Sequence, residues 1–213
     1  LAASGAKVLH LRCVEYARRF DLPIHVRSSF SGNEGTWVVK DRPEGDVMEQ
    51  AIISGIAHDR SEAKITIVGV PDRTGVAARI FQSIADVDVN IDMIVQNVSA
   101  AATGLTDISF TLPKAEGEKA IAVLNKIQGE VGFSSIQYDD QIGKLSLIGA
   151  GMRSHPGVTA TFFAALSEAG VNIEMISTSE IRISIVCRDT DLDKAVRASH
   201  TAFELDSDAA EAV

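Results

Sequence analysis

The stretch that decides the fold reads KITIVGV at residues 64–70. It returns as KLSLIGA at 144–150. Two more blocks recur in the same order: GVAA (75–78) with GVTA (157–160), and VNIDMI (89–94) with VNIEMI (171–176). Three matched blocks in one order indicate an internal repeat, and the slightly longer spacing of the later blocks fits a short insertion in a strand-to-helix loop.

Each copy has the pattern of alternating strands and helices. The first block alternates apolar and polar residues, which predicts a half-buried strand, and the next block opens an amphipathic helix. The following strands and helices are predicted at 90–98, 107–112 and 120–127 in the first copy, and at 172–177, 181–186 and 192–203 in the second. A closing strand at 134–138 completes the order βαββαβ in the first copy. This order predicts an α+β fold with two ferredoxin-like modules.

The second copy lacks a closing strand of its own. Its tail, 206–213, is acidic and rich in alanine, whereas the apolar run AIISGIA at 51–57 precedes the first copy. We therefore predict that 51–57 fills the open place in the second sheet, so that the first module is inserted into the second. The alternative is that 51–57 forms only a connecting strand.

The predicted boundaries follow from this arrangement. The first module spans 64–140, the second spans 49–63 plus 141–205, and 206–213 is an acidic tail. Residues 1–30 contain one helix and one strand, too little for a core, so they are expected to be the edge of another domain. Residues 31–48 are predicted to be a linker. The sequence begins without Met or a signal peptide, which favours a segment of a longer protein.

Composition and charge exclude several classes of function. Lys and Arg number 20 against 29 Asp and Glu, a net charge of −9, and aromatic residues make up 5%. A nucleic-acid or membrane-surface binder needs a basic surface, so neither partner is expected. Cys13 and Cys187 are far apart in the sequence, and both lie in segments predicted to be buried. This favours free thiols and a cytoplasmic location.

Both strand-to-helix turns have features of a binding site for a small anion. Gly75 and Gly157 each precede helix amides without partners, which suit a carboxylate, and Asp72 suits an ammonium group. Gln96 and Ser179 follow the second strands, where they either contact a ligand or make ordinary edge hydrogen bonds. His155 has no clustered partner for a metal or a catalytic pair. The segment 149–154 lacks the third glycine of a dinucleotide loop, and no catalytic residue is predicted.

The sequence of these motifs resembles one family. The segments NIDM (90–93), QNVS (96–99), TDISF (106–110), SHPG (154–157) and STSEIRIS (177–184) are similar to the regulatory half of aspartate kinases, which is built from ACT domains. The likeness covers about 49–205, and Ser109 is a mild departure. The segments 5–10 and 22–30 resemble the end of the kinase domain in that family.

The resemblance implies the function and the residues of two sites. The chain would be a regulatory, actinobacterial-type β subunit, or a regulatory segment that extends slightly into the kinase region. It would have no activity or cofactor of its own, because ATP and Mg bind the kinase domain. It would form a homodimer, associate with the catalytic subunit, and bind threonine, with or without lysine, between modules of different chains. One site would use Asp72, Arg73, Gly75, Val76, Ala77 and Gln96 with Asn172 and Ile173. The other would use His155, Gly157, Val158, Thr159 and Ser179 with Asn90 and Ile91.

Three alternatives stay open at this point. The same fold serves as the regulatory portion of other enzymes of amino-acid biosynthesis. A ferredoxin-like nucleic-acid binder would need exposed aromatic and basic residues on its sheet. A stand-alone enzyme would show turnover by this chain alone.

Overall fold

The computed structural model describes residues 1–39, 53–97, 103–149 and 157–206. The leading segment contains a short 3-10 helix at Ala2–Ser4, helix α1 at Leu11–Arg19, and strands β1 (Ile24–Val26) and β2 (Thr36–Val38), which form an antiparallel pair. Strand β2 lies inside the predicted linker, where three residues are too few for an alternating pattern to stand out. None of the described residues of α1 is buried, and Cys13 is exposed. The prediction that Cys13 is buried was therefore wrong, because the helix has no core beneath it.

The first module has the predicted order of elements. It consists of β4 (Glu62–Pro71), α2 (Val76–Ala85), β5 (Asp92–Gln96), β6 (Leu105–Pro113), α3 (Gly117–Val131) and β7 (Ser135–Asp139). The sheet order is β5-β6-β4-β7, and all the pairs are antiparallel. The two helices pack on one face of the sheet over a buried cluster that includes Ile65, Ile67, Ile80, Phe110 and Leu124. This is the ferredoxin-like arrangement expected from the repeat.

The second module uses a strand from before the first module. Its strand β3 (Ile53–Asp59) is followed, after the first module, by β8 (Ile142–Gly149), α4 (Gly157–Glu168), β9 (Met175–Thr178), β10 (Arg182–Arg188) and α5 (Leu192–Ala202). The sheet order is β3-β8-β10-β9, with β3 antiparallel to β8. Strand β3 thus takes the edge position that β7 takes in the first sheet. The predicted insertion of one module into the other is confirmed.

The helix-free faces of the two sheets pack against each other. Thr66 and Ser146 alternate with core residues and so point away from the helices, yet Ser146 is fully buried. Met93 and Met175 occupy equivalent places in the repeat and are buried in one cluster with Ile142 and Val186. The methionines fill this contact between modules, as expected of flexible apolar side chains. Within the four described ranges, no helix is long and apolar enough to cross a membrane.

One buried hydroxyl at this contact should reduce stability. Thr111 is fully buried, and its Oγ1 has no hydrogen-bond partner among the described residues. Replacing it in Thr111→Val removes the unpaired oxygen at similar volume, so we expect the free energy of unfolding in urea to rise by about 1 kcal/mol. The control is Ser146→Ala. In the wild type the Ser146 and Ser184 hydroxyl oxygens lie 2.8 Å apart, so this variant should be destabilised because the buried Ser184 hydroxyl loses its partner. A destabilised Thr111→Val would contradict the assignment.

Candidate functional site

The turn between β4 and α2 presents unpaired amides at the start of a helix. It begins where the Asp72 N–H donates to the Gly104 carbonyl at 2.9 Å. Gly75 then takes a left-handed conformation, with φ 92° and ψ −17°, which favours glycine. No side chain caps α2, and the amides of Ala77 and Ala78 have no acceptor within the helix. The turn therefore offers donors and the positive end of a helix dipole to an anion.

An open pocket of about 310 Å³ lies at this turn. On one side, a two-point ion pair joins Arg79 of α2 to Glu130 near the end of α3, with Nε–Oε1 at 2.6 Å and Nη2–Oε2 at 2.7 Å. Hydrogen bonding to Arg79 lowers the pKa of Glu130. Sequence reasoning missed both residues, because partners so far apart in the chain give no local pattern. The lining residues are Arg73, Thr74, Gly75, Val76, Arg79, Glu130 and Val131.

The predicted residues of the first turn are brought together by the structure. Asp72, Arg73 and Gly75 are exposed, Ala77 is half-buried, and Val76 is buried as the anchor of α2. Gln96 ends β5, and the next residue donates its amide to the Asp107 carbonyl at 3.2 Å. The register places Gln96 opposite Ile108, at the end of the sheet that carries the turn. These residues therefore share one edge of the module.

The second turn is described only from Gly157 onward. Gly157 opens α4 and is exposed, Val158 is buried, and Thr159 is half-buried. His155 lies outside the described residues. Of this turn, therefore, only the start of the helix is described.

The register identifies a residue that the sequence comparison of the two copies missed. Gln96 pairs with Ile108 in the first sheet, and Thr178 pairs with Ile183 at the equivalent place in the second. Ser179 lies one residue further, in the turn that closes β9 onto β10, where its amide donates to the Arg182 carbonyl at 2.7 Å. Thr178 is thus the structural counterpart of Gln96. Counting onward in step from the matched blocks at 89–94 and 171–176 would have shown this.

Both Asn-Ile pairs lie at the opposite end of β4 from the Gly75 turn. Asn90 and Ile91 come just before Asp92, which pairs through Thr111 with the start of β4 at Lys64. Asn172 and Ile173 come just before Glu174, whose carboxylate is bound by the same Lys64. From Lys64 to Pro71, a strand extends for about 23 Å at roughly 3.3 Å per residue. Within one chain, therefore, neither Asn-Ile pair reaches the Gly75 turn.

Ion pairs cross between the modules at the helix-free faces. Lys144 of the second module contacts Glu62 and, at 3.0 Å, Asp92 of the first. Arg188 of the second contacts Asp139 of the first at 2.5 Å. Burial alone would raise the pKa of Asp92, but the charge of Lys144 and hydrogen bonds hold it below its ordinary value. The hydrogen bond from Arg188 likewise lowers the pKa of Asp139.

Acidification should weaken the contact between the modules. A carboxyl group with a lowered pKa in the folded state stabilises the fold above its unfolded pKa, and this stability is lost as the pH falls through the folded pKa. Since the pKa values of Asp92 and Asp139 are both lowered, the free energy of unfolding should decline below about pH 5. Denaturant titrations of Asp139→Asn should show a shallower decline than those of the wild type. Parallel curves for the two proteins would contradict this assignment.

The remaining chemistry of the described part of the chain is not that of a metal centre. Among the residues that the structure describes, no three His, Cys, Asp or Glu side chains could hold a metal ion. Burial raises the pKa of Cys187 to about 11, so its thiol is protonated and unreactive at neutral pH.

A family model described as the ACT domain matches residues 65–128 and 145–203. The chain is 61% identical to the aspartokinase of Mycolicibacterium smegmatis, over 98% of this chain and 49% of that protein. It is 36% identical to the regulatory subunit of aspartate kinase from Thermus thermophilus, solved in a ligand-free form, with a TM-score of 0.68, covering 71% of this chain and 99% of that one. Aspartate kinase from Synechocystis is 39% identical with a TM-score of 0.71, covering 94% of this chain and 36% of that one.

These matches define first a class and then a family. The fold is a pair of ferredoxin-like modules in which one module is inserted into the other. The chain belongs to the ACT domain family and, within it, to the regulatory regions of aspartate kinases. It spans about half the length of the curated relatives that it matches.

Proposed function

We propose that the chain senses threonine, with or without lysine, and mediates feedback inhibition of aspartate phosphorylation in the cytoplasm. The observation that carries the proposal is the uncapped start of α2 behind Gly75, at an open pocket of the right scale for an amino acid. The amides of Ala77 and Ala78 bind the α-carboxylate. The Asp72 carboxylate takes the ammonium group, and Gln96 tests the side chain.

The separation within one chain favours a site between two chains. The Gly75 turn and the Asn172–Ile173 pair lie at opposite ends of β4, so a site that uses both needs a second copy. The outer strands β5 and β9 expose Ile94 and Ile176, which are 50% and 43% exposed at equivalent places in the repeat. A homodimer that joins these strands covers the two isoleucines and brings each turn to a partner's Asn-Ile pair.

The leading segment supports association with a catalytic part. Its apolar side chains are uncovered: Tyr16, Phe20 and Trp37 are more than half exposed, and Phe30 is 99% exposed. The regulatory subunit from Thermus thermophilus covers 71% of the chain, whereas the whole kinase from Synechocystis covers 94%. The leading segment therefore fits the edge of a kinase domain. ATP and Mg would bind to that kinase domain.

Calorimetric titration of the purified chain with threonine, lysine and methionine tests the proposal. Threonine at about 100 times its Kd should stabilise the fold by about 2.7 kcal/mol, which is seen as a higher Tm. Asp72→Asn should weaken threonine binding without lowering the Tm of the free protein, because Asp72 is exposed. The matched control is Asp86→Asn, which changes an exposed carboxylate at the far end of α2. An absence of threonine binding at millimolar concentration would overturn the proposal.

A further inference from the structure

Two ionic contacts connect the modules at equivalent places in the repeat. The Lys64 Nζ donates to the Glu174 carboxylate, and the Lys144 Nζ donates to the Asp92 carboxylate at 3.0 Å. Lys64 lies near the start of β4 and Lys144 near the start of β8. Asp92 begins β5, and Glu174 directly precedes β9. In each module, therefore, one lysine binds a carboxylate of the other module, and one carboxylate is bound by a lysine of the other module.

Both contacts are partly shielded from solvent and reinforced by arginine. The Lys144 side chain is only 3% exposed, whereas its partner Asp92 is 39% exposed and has Arg182 at 3.6 Å. The Lys64 and Glu174 side chains are 19% and 16% exposed, and Arg188 lies 3.2 Å from Glu174. Lys144, Lys64 and Glu174 are poorly solvated, so the loss of a partner would leave their charges uncompensated, and the two contacts should hold their geometry better than surface pairs.

The two carboxylates adjoin the segments proposed to contact the effector. Asp92 directly follows the Asn90–Ile91 pair, and Glu174 directly follows the Asn172–Ile173 pair. Fixing either carboxylate therefore fixes the backbone that carries the adjacent pair. Lys64, which holds Glu174, lies near the start of β4, and the far end of β4 leads into the Gly75 turn. Strand β4 thus connects two features. At one end, Lys64 holds Glu174 beside the Asn172–Ile173 pair, and at the other end lies the Gly75 turn, which belongs to another proposed site.

We infer that Lys64 and Lys144 are positioning residues that hold the Asn-Ile pair of the opposite module in its binding conformation and so couple the effector sites. This inference rests on the proposed function. An effector that binds better when the pair is held must, in turn, strengthen the contact that holds it. Through β4 the same change reaches the Gly75 turn, so occupancy of one site alters the affinity of another.

The test compares two variants at the same contact between modules. Glu174→Gln removes the carboxylate that Lys64 binds, next to the Asn172–Ile173 pair. Asp139→Asn removes a carboxylate bound by Arg188, on β7, which carries no proposed effector residue. By calorimetry on the full chain, Glu174→Gln should raise the Kd for threonine about tenfold and flatten any cooperativity. Asp139→Asn should change the Kd by less than about twofold, although both variants lower the Tm.

A conservative variant separates positioning from general loss of structure. Glu174→Asp introduces the residue type that the first copy has at this place, Asp92, so it should restore the affinity to within about threefold of the wild type. Equal Kd values for Glu174→Gln and the wild type, or equal losses for Glu174→Gln and Asp139→Asn, would overturn the inference alone. A wild-type chain that does not bind threonine would overturn the proposed function as well.

Discussion

Lys144→Met is expected to lower the free energy of unfolding by about 3–5 kcal/mol, as found when one partner of a buried ion pair is removed. Lys144 lies at the contact between the two sheets and binds Glu62 and Asp92. Methionine fills the space of the lysine stem but leaves the Glu62 carboxylate, which is 13% exposed, without its cation. Asp92 keeps Arg182 at 3.6 Å, so most of the loss is expected to come from Glu62. Glu62 has little room to find another partner, since its Oε2 is already buried without one in the described part of the chain.

Urea unfolding measures this loss, and the chain offers a matched control. Lys119 pairs with Glu116 at 3.7 Å on an exposed face of α3, with its own side chain 49% exposed. Lys119→Met should change stability by less than about 0.5 kcal/mol, because exposed pairs contribute little. Similar small losses in both variants would show that water reaches Lys144 and that the contact between modules is loose.

Phe162→Ala is expected to destabilise the second module by about 3–5 kcal/mol. Phe162 is fully buried on α4, and its ring centroid lies 5.8 Å from that of Phe163 and 6.5 Å from that of Phe203. Removing the ring leaves a cavity that the surrounding helices only partly fill. Phe30→Ala is the control, because the 99% exposed Phe30 side chain has no core to leave.

The same variant tests the insertion of one module into the other. Ile53 of β3 packs in the cluster that contains Phe162. Hydrogen exchange in Phe162→Ala should therefore accelerate at the amides of β3 together with those of β8, although the whole first module separates these two strands along the chain. Protection of β3 that stays at the wild-type level while β8 loses its protection would contradict this pairing.

The repeat allowed much of the fold to be predicted because it supplied each pattern twice. The period of the strands at 64–70 and 144–150 fixed which residues face the helices. The unfilled sheet position of the second copy pointed to 51–57, and the pairing of β3 with β8 bears this out. Strand β2 and the exposure of Cys13 were missed, since a strand of three residues has no period and a helical stripe does not reveal whether anything covers it.

The candidate site was predicted less completely. The turn residues from Asp72 to Ala77 follow from local chemistry, because a glycine before a helix leaves amides unpaired. Arg79 and Glu130 were not foreseen, since their ion pair joins helices that are distant in sequence. The sequence predicted Ser179 at the second site, whereas strand register makes Thr178, one residue earlier, the counterpart of Gln96.

The sequence by itself determined the two modules, their elements and the glycine turns, because these depend on short-range periodicity and backbone conformation. Only the tertiary structure decided which lysine of one module binds which carboxylate of the other, and that the Gly75 turn lies a strand's length from the Asn-Ile pairs. Such relations depend on how two sheets stack and on strand register, and neither leaves a local trace in the order of residues.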